Sequence, residues 1–65
     1  MKKQALRAGT RVKLISQAMG YKEGSVFIIS SFANDMQSSY EYHCYLQSDN
    51  KITCTFFDDE FEVIY

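Results

Sequence analysis

The sequence has no proline, only three glycines, two cysteines, one histidine and no long apolar run. The cysteines are not spaced as CxxC, and a zinc site normally takes four ligands, so neither a disulfide-dense secreted scaffold nor a structural metal centre is expected. Two free thiols fit most simply in a reducing cytoplasm. The longest apolar run, residues 26–29, is far too short to span a membrane. Met1, Lys2 and Lys3 have the charge of an export-signal start, but Gln4, Arg7, Gly9, Arg11 and Lys13 interrupt the apolar stretch that such a signal needs, so neither export nor membrane association is expected.

The chain does have 65 residues that are 46% apolar and 23% charged, with five tyrosines and five phenylalanines. That profile is far from a disordered chain and has room for one small domain. A core of this size supplies only about 3–5 kcal/mol, so such folds often lean on a partner subunit, and self-association is compatible with the composition. The net charge of −1 conceals a partition. Lys2, Lys3, Arg7, Arg11, Lys13 and Lys22 precede any acid, whereas from Glu23 onward Glu23, Asp35, Glu41, Asp49, Asp58, Asp59, Glu60 and Glu62 face Lys51 alone. A basic and an acidic face result if the fold keeps the halves apart.

Periodicity predicts an all-β chain. Residues 1–8 form a mobile or short helical lead-in, with helical character confined to residues 2–7. Residues 11–14 alternate polar and apolar after a Gly9-Thr10 turn and form a first strand. A glycine-bearing loop over residues 16–24 leads to a second strand over residues 25–32, rich in Val, Ile and Phe and expected to be buried on both faces. Residues 33–39 form a turn around Asn34-Asp35. In the third strand Tyr40, Tyr42, Cys44 and Leu46 take one face, and Glu41, His43, Tyr45 and Gln47 the other. Residues 51–57 form a fourth strand with Ile52, Cys54 and Phe56 on one face, and residues 61–65 a fifth after the break at residues 58–60.

Parity fixes the register of the third and fourth strands. A two-residue loop at Asp49-Asn50 sets an apolar face against a polar one. A three-residue loop, residues 48–50, apposes Leu46 with Ile52, Cys44 with Cys54 and Tyr42 with Phe56, and keeps one core face. Five short strands in so small a chain bury most surface as a strongly bent, partly open barrel.

The pattern Gly9-x-x-Val12-x-Leu14-Ile15, a loop with glycine and lysine, then Glu23-Gly24-x-Val26-x-x-Ile29 resembles the KOW-type motif of SH3-like barrels. The stretch from Phe57 to Val63 is similar to the short 3₁₀-like turn that leads into the last strand of those barrels. The motif covers about a third of the chain. The resemblance implies a five-stranded SH3-like, KOW-like barrel, with Gly24 at a tight backbone position, that serves as a binding module for RNA, DNA or protein. A stand-alone domain of this size also resembles the accessory proteins with which phages modify host complexes.

No catalytic constellation assembles, and no cofactor is implied. His43 and Cys44 face opposite ways and cannot converge on a metal or form a nucleophile pair. Cys44 and Cys54 read as two buried thiols, with a cross-strand disulfide only in an oxidising setting. Consecutive acids at Asp58, Asp59 and Glu60, with Glu62, splay in different directions and read as a solvated cap and partner-facing patch. The tyrosines exceed what so small a core can hide, so some should lie at the surface near Met19 and Phe27, as interfaces favour. The favoured expectation is therefore a non-enzymatic module that docks on a protein through Met19, Tyr21, Tyr45, Asp58, Asp59, Glu60 and Glu62. The alternative is nucleic-acid binding through Arg7, Arg11, Lys13 and Lys22, with Tyr21 or Tyr45 stacking on bases. The sequence pI of about 5.6 weighs against that alternative.

Overall fold

The alternation in residues 11–14 becomes β1 (Arg11–Leu14), in which Val12 and Leu14 are fully buried and Arg11 is exposed. The structure is a computed structural model that describes residues 6–36 and 39–64. Residues 2–5 of the expected helical stretch and Tyr65 lie outside the described residues, and Leu6 to Ala8 are not helical. Four further strands complete the chain: β2 (Val26–Met36), β3 (Ser39–Leu46), β4 (Asp49–Phe57) and β5 (Phe61–Val63). They form one antiparallel sheet in the order β4-β3-β2-β1-β5. The outer strands β4 and β5 are not joined by hydrogen bonds, so the barrel is partly open, an arrangement compatible with the SH3-like fold.

Several boundaries and facings differ from expectation. The second strand runs on through Asn34-Asp35, which pair with Glu41 and Tyr40 instead of turning. The Asn34 side chain donates to Glu41 Oε1 at 2.7 Å, giving this polar stretch a cross-strand bond that periodicity does not announce. Nor is β2 buried on both faces: Phe27 and Ile29 are inside, Val26 and Ile28 are half-buried, and Ser30 to Phe32 are exposed. Phe27 is thus a core residue, which neighbours Tyr21 from beneath and not at the surface. Register shifts after Ile29 and after Phe32 insert one extra β2 residue each time. Such bulges bend a strand, and here they let one strand of 11 residues serve both β1 and β3.

The predicted register of β3 on β4 holds at Cys44–Cys54 and Tyr42–Phe56 but fails at the turn. Leu46 pairs with Asp49, not Ile52, around a two-residue turn at Gln47-Ser48, and a register shift comes next on β4. The irregular stretch is held by the Lys51 N–H, which donates to Asp49 Oδ1 at 3.0 Å. The last strand is shorter than expected, ending at Val63.

The inward faces meet in one core of Val12, Leu14, Phe27, Ile29, Tyr42, Cys44, Phe56 and Phe61. Burying each large side chain contributes about 1.5–3 kcal/mol. Phe27, fully buried in this core, is edge-on to Tyr21 (5.2 Å) and Phe56 (4.8 Å). The hydroxyl of buried Tyr42 accepts the Leu6 N–H at 3.0 Å, which ties the lead-in to the core.

Two matching turns bracket the pairing of β1 with β2. In one, Thr10 N–H and Oγ1 both donate to Arg7 C=O; in the other, Ser25 N–H and Oγ both donate to Lys22 C=O. The third residue of each is a glycine with positive φ, +91° at Gly9 and +93° at Gly24. A Cβ at either position would meet nothing within 4 Å, so the backbone angle alone demands glycine. Each glycine and its successor bond one residue of the facing strand, Ile29 for Gly9-Thr10 and Leu14 for Gly24-Ser25. The paired strands are thereby closed by a glycine bulge at both ends.

Candidate functional site

Leaving β1, the chain carries two adjacent apolar residues, Leu14 and Ile15. Alternation can bury only one of them: Leu14 is inside, and Ile15 is 47% exposed. The Ile15 N–H donates to Glu60 C=O at 3.1 Å, which holds the start of the loop against the turn between β4 and β5. Farther on, Ala18 and Tyr21 exchange backbone hydrogen bonds of 3.0 and 2.9 Å around Met19-Gly20. Both central residues have positive φ, +54° and +83°, the form of a primed two-residue hairpin turn. Asn, Asp or Gly is usual in the first central position, and a methionine there costs about 1–2 kcal/mol. Tyr21 is half-buried against Phe27, so its ring anchors the miniature hairpin on the core. Met19, at the tip, is 64% exposed.

The structure brings Met19 and Tyr21 together but separates them from Tyr45. That residue is half-buried on the outer face of the sheet, in a row formed by register partners Thr53, Tyr45, Ile28 and Arg11.

The acidic turn is committed to the fold in large part. Asp58 Oδ2 accepts the Tyr40 N–H at 3.2 Å, while the Asp58 N–H donates to Tyr40 C=O at 2.9 Å. Glu60 Oε1 accepts the Phe57 N–H at 2.8 Å, and the Glu60 N–H returns a bond to Phe57 C=O at 3.0 Å. The second pair occupies the outward-facing backbone groups of Phe57 at the end of edge strand β4, where an intruding strand would otherwise pair. Asp59 is exposed, and Glu62 on β5 lies 3.2 Å from the Lys13 ammonium.

That ion pair corrects the expectation of opposed basic and acidic faces. Lys13 and Glu62 are register partners on neighbouring strands, so the two halves of the sequence interleave at β1 and β5. Arg7, Arg11 and Lys22 are exposed. Arg7 and Lys22 begin the two matching turns at opposite ends of the β1–β2 pairing, while Arg11 and Lys13 share the outer face of β1. The four cations therefore line no single groove.

His43 is exposed, with Nδ1 3.5 Å from Thr55 Oγ1, and Cys44 is buried on the other face. Among the described residues no group of three or more His, Cys, Asp or Glu side chains could hold a metal ion. No helix among them is long and apolar enough to cross a membrane. Cys44 and Cys54 are unpaired thiols, and burial, reinforced by the neighbouring Cys54, pushes the Cys44 thiol up to about 12.

Sequence reading missed Ile15 as a surface residue, although the doublet Leu14-Ile15 at the end of an alternating strand carried the signal. It also missed Phe32, which is 41% exposed because the β2 bulges reset its facing. No protein-family model, curated protein or solved structure matches the chain.

Proposed function

We propose that this chain is a non-enzymatic binding module of SH3-like, KOW-like type that docks on a protein partner through the loop at residues 15–24. The carrying observation is Met19: a flexible, adaptable side chain 64% exposed on a backbone held at φ +54° and anchored on the core by Tyr21. Backbone strain is kept where surrounding structure over-determines it, as at ligand clamps, and methionine gives large contact area to an incoming surface. Ile15, in the same loop, extends the apolar surface, and Asp59 is the acid of the adjoining turn left to orient a partner. A module of this kind acts as a phage accessory protein that modulates a host complex in the cytoplasm.

A second reading, a KOW-like nucleic-acid binder, draws on the outer-face row in which Arg11 and Tyr45 flank Ile28. A cation two strands away from a half-buried aromatic ring on the same face suits a phosphate followed by a stacked base. Lys13 contributes less to this reading, being paired with Glu62.

Affinity capture from bacterial lysate, with and without nuclease and at low and moderate salt, separates the two. A protein retained in stoichiometric amount after nuclease and at moderate salt, and lost with Met19→Asp, supports docking. Nucleic acid alone, released as salt rises and lost when Arg11 is neutralised, overturns it in favour of the second reading.

A further inference from the structure

Cys44 on β3 and Cys54 on β4 are direct register partners, and both are free thiols. Partners in antiparallel strands project to the same face, so the two sulfurs rise side by side. Neighbouring bonds reveal the kind of pair. The Asp58 N–H donates to Tyr40 C=O at 2.9 Å, whereas the Gln47 N–H donates to Val26 C=O at 3.2 Å. Backbone groups along a strand alternate between its two neighbours, so Tyr40, Tyr42 and Cys44 bond toward β4 and Tyr45 and Gln47 toward β2. Cys44–Cys54 is therefore a hydrogen-bonded pair, with Cα atoms about 5.5 Å apart, inside the window for a disulfide. The Cβ atoms of such a pair stand near the upper end of the cross-strand range, about 5.5 Å, and a disulfide prefers about 3.5–4.5 Å. A bond there is within reach but pulls on both strands, which makes it easy to reduce.

We infer that Cys44 and Cys54 form a reversible thiol–disulfide site, in which a low-molecular-weight disulfide reacts first at Cys54 and is then displaced by Cys44. Exposure sets the order: Cys54 is half-buried at the sheet edge, whereas Cys44 is 1% exposed. In the first step Cys54 gives up its proton and its sulfur attacks one sulfur of the reagent, RSSR. The reagent's S–S bond breaks, leaving Cys54–S–S–R, and the departing thiolate takes a proton to become RSH. In the second step Cys44 Sγ, deprotonated, attacks the Cys54 sulfur; the S–S bond to the RS group breaks, and the departing thiolate takes a proton to leave as a second RSH. Two protein thiols are oxidised by two electrons to one disulfide, and one RSSR is reduced to two RSH.

The second step is the slow one. Cys44 is packed among Val12, Leu14, Phe27, Ile29, Tyr42, Phe56 and Phe61, with its Sγ 3.8 Å from Tyr42 C=O. The ionisable groups of that cluster and of the side chains packed against it are Tyr21, Tyr40, Tyr42 and Cys54, none of which is a cation that would favour a thiolate. With its thiol pushed up to about 12, Cys44 is a scarce nucleophile at neutral pH. Closure should accelerate about tenfold for each pH unit from 7 to 9, because the thiolate fraction does.

The test treats the folded protein with oxidised glutathione from pH 7 to 9, quenches with acid at intervals, and follows intact mass and peptide maps. The expected course is one glutathionyl group on Cys54, then its departure as glutathione to leave a chain two hydrogens lighter than the starting dithiol, with a Cys44–Cys54 linkage that mild dithiothreitol opens again. Cys44→Ala should stop at the mixed disulfide, and Cys54→Ser should leave Cys44 unmodified while folded. Should Cys44→Ala not fold, the time course of the unaltered protein decides alone. First modification at Cys44, a mixed disulfide at pH 9 that never closes, or a linkage only between separate molecules would each overturn the inference.

Discussion

The loop at residues 15–24 and the turn at residues 58–60 adjoin one another, and both carry residues that the sequence marks for partner contact, yet the fold uses them in opposite ways. In the turn, Asp58 and Glu60 face backbone N–H groups at the start of β3 and the end of β4, and their carboxylates accept them. In the loop, the exposed side chains Ile15 and Met19 are apolar and have nothing to offer a backbone donor. Acidic residues beside a strand end are readily recruited as caps, so their clustering in sequence says little about a partner. An apolar side chain held outward on a strained backbone has no comparable internal use, and it is the better marker of a binding surface.

Substitutions should pull the two regions apart, the largest effect coming from the loop tip. Met19→Asp should weaken partner capture roughly 30-fold, as loss of a central interface residue does, while leaving Tm within about 2 °C. Glu60→Ala should do the reverse, lowering stability by about 1–2 kcal/mol in denaturant titration through loss of the Phe57 clamp, with capture unchanged. Met19→Gly should raise stability by about 1 kcal/mol by relieving the positive φ, yet lose capture as Met19→Asp does, so that stability and binding move in opposite directions at one residue. The smallest effect is expected where β1 meets β5. A double-mutant cycle on Lys13 and Glu62 should give a coupling of about 0.2–1 kcal/mol that fades in high salt, since both side chains are well exposed.

Much of the fold was legible because it rests on alternation. The limits of β1 and the apposition of Cys44 with Cys54 and Tyr42 with Phe56 come from parity and the need for one core face. The places that escaped are those where alternation is interrupted. Bulges in β2 cost the strand its simple period, so Asn34-Asp35 read as a turn, and the irregular start of β4 allowed Gln47-Ser48 to turn without disturbing the pairs beyond it. At the candidate site Met19 and Tyr21 were legible as loop aromatics and methionine. The capping roles of Asp58 and Glu60 were not, because they depend on which backbone N–H groups the closed fold brings within 3.2 and 2.8 Å. The charge partition misled for a related reason: strands distant in sequence became neighbours, and Lys13 met Glu62.

The most direct test of the docking account is a paired capture from nuclease-treated bacterial lysate with the unaltered protein, Met19→Asp and Glu60→Ala, quantified by mass spectrometry. The account predicts one protein held in stoichiometric amount by the unaltered chain and by Glu60→Ala but lost by Met19→Asp. Equal capture by Met19→Asp, or loss of capture only with Glu60→Ala, would contradict it.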